Sequence, residues 1–337
     1  MLVKELLTKG FCTSKSTKNM SRAKWLETRK SGIGGSDSGA IMGLNKWASP
    51  LTVYFSKKGE VEEFTNSAIE WGVMAEDAIR RGIAKQCNLK IEKVPYMFRS
   101  LENPFMIADL DGLVLAKDET DVNGVKVQGI GGLEIKTTTR FNNEFKDDEI
   151  PDSYYCQVQH YMAVTGLDWF ILAVMIDKVG GKTYVIPRNE AFIEKLIESE
   201  KVFWCEFVEK DIAPMPSGIE REMQYVSALP MVESIVLSDE CEEYLKQREA
   251  IESTIKELKA QSDAFKTKVL LEMAALSTGD ASEKTVATCK DWKITYSTQK
   301  RRSADIDALE NDGLAEKYVS ESISRVVRIT RVKSKTA

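Results

Sequence analysis

The sequence predicts an α/β fold: a central mixed β-sheet flanked by helices, followed by a long C-terminal helix and a small α/β appendage. Three observations predict it. Helical periods dominate roughly the first quarter of the 337 residues, alternating β-branched and aromatic segments follow from about 91 to 137, and helix and strand patterns then alternate to about 208. A hydrophobic content of 43% is enough for a real core.

Taken in order, residues 21–30, SRAKWLETRK, read as a short helix. The next stretch, SGIGGSDSGAIMG, reads as a glycine turn leading to a second helix with Ser36 or Asp37 as its N-cap. Ser49-Pro50 opens a third helix, since proline is tolerated at the first helical position, and Gly59 ends it. A longer helix over 66–87 sets Trp71, Ala75, Ala78, Ile79 and Ile83 on one apolar stripe. Three strand-like segments follow: IEKVPYMFR, FMIADLDGLVLA and VKVQGIGGLEIKTTT. The link AKDETDVNGVKVQGIG between the last two is longer than a tight turn, so a hairpin there leaves the register open by one residue. Asp152-Ser153 begins a helix reaching about Gly166, WFILAVMID is a buried strand, TYVIPR is its partner, and a helix over 190–208 closes the core.

Three regions result: a core domain at 1–214, a linker at 215–238 and a C-terminal region at 239–337. In the last, a charged helix over 239–275 spaces Ile251, Ile255, Leu258, Phe265 and Val269 three, four or seven apart. Such a stripe suits a partner helix, a neighbouring subunit or the helix's own domain. WKITY and SRVVRITRV are expected as strands around a KRRSADIDALE link.

Composition removes several kinds of chemistry. No apolar run approaches the roughly 20 residues of a membrane helix, and the first residues lack a signal-like apolar stretch, so a soluble cytoplasmic protein without membrane partners is expected. The six cysteines are widely spread with no Cys-x-x-Cys pair, so neither a disulfide framework nor a zinc ribbon is indicated. His160 is the single histidine and is read as structural or incidental. Any bound metal must therefore be held by oxygen, which favours Mg²⁺, with Mn²⁺ as a substitute. A net charge of −5 means that any nucleic-acid site is a focused basic groove.

In GGLEIKTTT, Glu134 and Lys136 share one face of a strand and Ile135 takes the other. Alone, that is the pattern of a solvated strand. Asp111, at the end of a preceding apolar strand, changes it: two carboxylates and an ammonium can meet at one spot. Two carboxylates and a backbone carbonyl make a hard oxygen cage for Mg²⁺, and a lysine beside it can orient a water for phosphodiester hydrolysis. Asp109, two residues earlier, could face the same way or cap the turn.

The order Asp, then Glu-x-Lys, resembles the PD-(D/E)xK nuclease signature. Three further segments resemble YqaJ-like viral recombinases, relatives of phage lambda exonuclease: RKSGIGGSDSGAIMGLNKWASPLTVYFSKKG, WGVMAEDAIR and YYCQVQHYM, in family order over roughly 20–210. The resemblance implies a restriction-endonuclease-like core, with Asp111, Glu134 and the Ile135 carbonyl as metal ligands and Lys136 as the water-positioning base. It also implies Glu76 as a helical acid beside the metal, and Gln157 orienting the attacking group or scissile phosphate. Tyr154 and Tyr161 share the helical face of Gln157 and could line the site or pack in the core. Arg29 and Ser36 would bind the 5′ phosphate of the digested strand, although a helix-end cation and an N-cap look the same.

The implied function is Mg²⁺-dependent 5′-to-3′ digestion of one strand of linear duplex DNA, leaving 3′ overhangs for recombination. A homotrimeric ring around DNA ends and a single-strand annealing protein as partner are implied with it. The rivals are another nuclease of the same fold, whether endonuclease or single-strand-specific, and a non-catalytic DNA-end-binding protein.

Overall fold

A computed structural model describes residues 2–59, 67–139, 144–145, 149–177, 180–223, 234–277, 284–298, 311 and 313. The chain divides into two units, Met1–Leu229 and Pro230–Ala337.

The first unit opens on two elements that no pattern in the sequence predicts. Helix α1 (Leu2–Thr8) buries Leu2 and Leu6, one helical turn apart, in the main core, and strand β1 (Cys12–Ser16) follows it. Then come α2 (Arg22–Lys30), β2 (Ile33–Gly34), α3 (Gly35–Ile41), α4 (Pro50–Lys58) and α5 (Ser67–Gln86). The cap of α3 is Gly34, not Ser36 or Asp37: the Asp37 carboxylate, one turn inside, accepts the Gly34 N–H at 2.9 Å. Helix α4 starts and stops as its residues dictate, between the Ser49 cap and Gly59 at φ 76°. In α5, Ile79 and Ile83 are buried, whereas Trp71 is 71% exposed and Ala78 is exposed too, so the apolar stripe is narrower than expected.

Strands β3 (Lys90–Glu92), β4 (Tyr96–Ser100), β5 (Met106–Asp109), β6 (Gly112–Val122) and β7 (Val125–Thr138) come next. They are followed by α6 (Asp152–Thr165), β8 (Trp169–Ile176), β9 (Gly180–Pro187) and α7 (Glu190–Val202), which runs into a π-helical turn at Phe203–Val208. Two sheets form, one ordered β1-β4-β5-β2 and the other β3-β6-β7-β8-β9. The second is the mixed sheet: β7 and β8 are parallel, joined by the α6 crossover, and every other pair in it is antiparallel.

The apolar run of β8 is buried on both faces. Phe170, Leu172 and Val174 join the cluster that contains α6, while Ile171 and Ala173 join the one with Ile79 and Ile83 of α5. Leu133 and Ile135 of β7 belong to the α5 side, so alternation turns Glu134 and Lys136 towards α6. The two glycines before them have a steric cause. A Cβ on Gly131 would lie 2.4 Å from the Trp169 ring, and one on Gly132 would lie 2.1 Å from Phe170.

Two expectations about the strands change. FMIADLDGLVLA is not one strand: it breaks after Asp109, and Leu110-Asp111 carries the chain from one sheet into the other. The link to β7 is not a loop either. Strand β6 runs on to Val122 and turns through Asn123 (φ 52°) and Gly124 (φ 83°), a two-residue hairpin signal that the charged flanks obscure.

The expected linker begins inside the first unit. The Glu222 carboxylate accepts the Ser49 hydroxyl at 2.5 Å and the backbone N–H groups of Ser217 and Gly218, so the chain is held there as far as Glu222. In the second unit, α8 (Asp239–Leu276) leaves Ile251, Ile255, Leu258, Phe265 and Val269 exposed among the described residues. Strand β10 (Lys284–Cys289) pairs antiparallel with β11 (Trp292–Ser297), so among the described residues the partner of WKITY is the segment before it. SRVVRITRV lies outside the described residues, as does the KRRSADIDALE link. Among the described residues no helix is long and apolar enough to cross a membrane.

Candidate active site

The register of the β6–β7 hairpin decides what lies beside Glu134. Gly112 pairs with Leu133, so Asp111, one residue before β6, comes level with Glu134. The Asp111 carboxylate accepts the Ile135 N–H at 2.7 Å. Within a strand the N–H and C=O of one residue leave by the same edge, so the Ile135 carbonyl faces that edge as well. Arg80 of α5 donates to the Asp111 backbone carbonyl at 3.2 Å and fixes the corner from outside.

Glu134 is only 5% exposed, which removes the solvated-strand reading. One of its oxygens accepts from Lys136 Nζ at 2.8 Å and from Gln157 Nε2 at 2.7 Å. Gln157 also donates to the Tyr161 hydroxyl at 2.9 Å, one turn along α6. The Lys136 ammonium sits 4.9 Å from the centre of the Tyr154 ring, and the buried Phe145 stacks on that ring. Burial works against the charge on Lys136, but the Glu134 carboxylate outweighs it and raises the pKa above the ordinary value. Lys136 is thus a cation and a donor here.

Like charges crowd this spot. Burial first, then Glu134 and Glu76, push the Asp111 carboxyl well above the usual carboxylate range. Burial first, then Glu134, also raises Glu76 on α5. Carboxylates that repel one another in a dry site are those that a divalent cation relieves. Among the described residues no three His, Cys, Asp or Glu side chains close round a single point. The donor set is therefore an open one: Asp111 and Glu134 with the Ile135 carbonyl, and Glu76 within electrostatic reach. All are hard oxygens, which fits Mg²⁺ or Mn²⁺.

A second cluster lies on α2, α3 and α4. Arg29 donates to the Ser36 hydroxyl at 2.8 Å and lies 3.7 Å from the Asp37 carboxylate. Lys57 of α4, nearly buried, pairs with Asp37 at 2.6 Å. Burial opposes the charge on Asp37, but Lys57 and Arg29 outweigh it and depress the pKa. Trp25 carries Arg22 at 4.4 Å and Arg29 at 5.2 Å from its ring, and its indole N–H donates to Asp109 at 2.8 Å. Asp109 is therefore tied to the Arg29 side rather than to Glu134. A small cleft on the Arg29 side is lined by Arg29, Gly34, Gly35 and Asp109, with Tyr161 of α6 as its far wall. Sequence reasoning missed Trp25, Asp37 and Lys57. The four-residue spacing of Trp25 and Arg29 on one helix was a readable signal, whereas nothing in the sequence links Lys57 to Asp37.

Gly35 sets the distance between the clusters, because a Cβ there would lie 2.5 Å from the Tyr161 ring. Gly35→Ala is expected to lower stability by about 1–3 kcal/mol through overpacking. Gly82→Ala, in open space on α5, should raise it by roughly 0.5–1 kcal/mol. Urea unfolding of the two variants measures both, and equal shifts would contradict the close approach.

Of the two readings of His160, structural and incidental, the structural one holds. Its ring is fully buried, with Nδ1 at 2.8 Å from the Glu200 carboxylate of α7 and Nε2 at 2.9 Å from the Ile107 carbonyl of β5. Both neighbours are acceptors, so both nitrogens donate and the ring is an imidazolium. Burial opposes that charge, but Glu200 outweighs it and raises the pKa. The Ser38 hydroxyl of α3 donates to the same carboxylate at 2.6 Å. The network therefore pins α3, with its Arg29–Ser36 cluster, to the helix that carries Gln157.

Residues 24–168 match the family profile described as the YqaJ-like viral recombinase domain. "Uncharacterized protein YqaJ" of Bacillus subtilis (strain 168) is 30% identical over 266 residues, covering 75% of this chain and 79% of that protein. Among solved structures, an alkaline exonuclease (LHK-Exo) from Laribacter hongkongensis is 20% identical, covers 62% of this chain and 100% of its own, and gives a TM-score of 0.44. A phage related exonuclease from Haemophilus somnus 129PT is 13% identical, covers 53% of this chain and 96% of its own, and gives 0.37.

Proposed function

The chain belongs to the YqaJ-like viral recombinase family, and from that premise we propose that it is a divalent-cation-dependent exonuclease. It would digest one strand of linear duplex DNA from the 5′ end and leave a 3′ overhang for recombination by single-strand annealing. One observation carries the reading: the hairpin register brings Asp111 beside the strand that holds Glu134 and Lys136.

Asp111, Glu134 and the Ile135 carbonyl would hold Mg²⁺ or Mn²⁺, which when bound makes a water more acidic and offsets charge on the scissile phosphate. Lys136, as an ammonium, orients the attacking water by donation and stabilises negative charge that develops at phosphorus. Gln157 keeps Glu134 in place through one N–H and holds Tyr161 through the other, so its carbonyl oxygen is what would orient the attacking water. Glu76 adds a carboxylate that can accept a proton or a water hydrogen. Tyr154 and Tyr161 shape the wall and exclude solvent. Arg29 and Ser36, paired in this structure, would exchange that bond for the 5′ phosphate, with Lys57 adding positive potential.

A ring of three copies around DNA would keep the enzyme on its substrate, and an annealing protein would receive the overhang. Light scattering tests the trimer. A linear duplex offered beside a closed circle tests the reaction: the proposal expects loss of the linear form only, in Mg²⁺ and not in EDTA. Nicking of the circle points instead to an endonuclease. Arg29→Ala is expected to erase any preference for 5′-phosphorylated over hydroxyl ends, read as the ratio of the two kcat/KM values, because Arg29 is the guanidinium paired with Ser36 and the Lys57 ammonium cannot replace its bidentate fork.

A further inference from the structure

Beyond the cleavage site lies a second cleft that the proposed function leaves unused. Trp47, just past α3, is 65% exposed, and it lines the cleft with Leu44 and with Pro151 and Ser153 of the α6 entrance. Its indole is not loose. The Nε1–H donates to Glu144 at 3.3 Å, Lys46 pairs with the same carboxylate, and the Lys46 ammonium lies 4.9 Å from the ring centre. Glu144 is thereby neutralised locally, and the ring is held by its edge with apolar surface still open to solvent. Ser153, which lines this cleft, is followed on α6 by Tyr154, whose ring carries the Lys136 ammonium.

A fixed, exposed indole with a cation beside it suits an unpaired nucleobase on a negatively charged backbone, since every base has a π-face to stack. A protein partner would instead bury the ring edge, which here is already committed to Glu144. We propose that Trp47 is a stacking platform for a base of single-stranded DNA next to the cleavage site, with Lys46 near its phosphate. This rests on the nuclease reading above and adds the site that holds the separated strand.

The test uses the full chain as wild type, Trp47→Ala and Trp47→Phe. Fluorescence anisotropy with a labelled oligothymidylate measures affinity, and digestion of a linear duplex in Mg²⁺ measures KM and kcat. Stacking of one base predicts that Trp47→Ala weakens oligothymidylate binding by at least about fivefold and raises KM with kcat unchanged, while Trp47→Phe stays within about twofold of wild type. Trp47→Ala that binds and digests like wild type overturns the platform and leaves the nuclease intact. Equal losses in both variants overturn it too, since an aromatic face would not be what matters. Wild-type protein that leaves linear duplex untouched overturns the nuclease reading and this inference with it.

Discussion

Lys136→Ala is expected to abolish digestion of linear duplex DNA, with kcat reduced by about 10²–10⁴ while DNA binding survives. The size follows from the position. Lys136 is the only cation that the described contacts place on Glu134, and in a site this dry an ammonium counts for more than in water. Gln157, already bonded to that carboxylate, keeps it in place in the variant, so the loss should fall on turnover and not on architecture. Lys136→Arg should not rescue fully, because a planar fork is not a compact point charge. Gel shift in EDTA beside single-turnover digestion in Mg²⁺ separates binding from chemistry. A variant with near-normal kcat would mean that Glu-x-Lys is structural and that the non-catalytic end-binding reading is the better one.

The second large effect is on stability. His160→Gln is expected to cost about 3–5 kcal/mol, since it leaves the Glu200 charge buried opposite a neutral amide. Glu200→Gln, which strands the imidazolium, should cost about as much. The pH dependence has a definite sign. The folded pKa of His160 is raised above its ordinary value of 6.5, so this contribution is fully present below that value and is lost as pH rises through the folded pKa. Chemical denaturation over a pH series should show wild type losing stability on the alkaline side and His160→Gln losing less. Parallel profiles would mean that His160 is neutral in the folded protein. Because Ser38 shares the Glu200 carboxylate, both variants should also loosen the phosphate cluster from the catalytic helix.

Much of this architecture is legible in the residues, and the failures have physical causes. Ser49-Pro50 and Gly59 bracket a helix because local capping decides both ends. WFILAVMI is a buried strand because an unbroken apolar run can satisfy two covered faces. Leu2 and Leu6 were missed because two leucines among lysines make too short a pattern, and only packing against distant residues makes α1 part of the core. Trp71 looked like core by spacing alone, yet α5 covers the sheet through Ile79 and Ile83 instead. The Asn123-Gly124 turn is the local signal that fixes the hairpin register, and the charged residues on both sides of it give the strands there no apolar alternation.

In the site, the shared face of Glu134 and Lys136 follows from strand geometry, and that much needs no structure. That the face is buried against α6 does not follow, because solvent and a covering helix leave the same alternation in a sequence. Asp37–Lys57, Trp25–Asp109 and His160–Glu200 pair residues 20, 84 and 40 apart, and only the fold brings such partners together.

The central claim is that Asp111, Glu134 and Lys136 form one phosphodiester-hydrolysing centre fed from a 5′ end. A linear duplex labelled at either the 5′ or the 3′ terminus of the same strand tests it most directly, with wild type and Lys136→Ala compared in Mg²⁺ and in EDTA. The account predicts early release of the 5′ label as a mononucleotide and late release of the 3′ label, in Mg²⁺ only and with wild type only. Release of the 3′ label first, release in EDTA, or equal digestion by Lys136→Ala would contradict it.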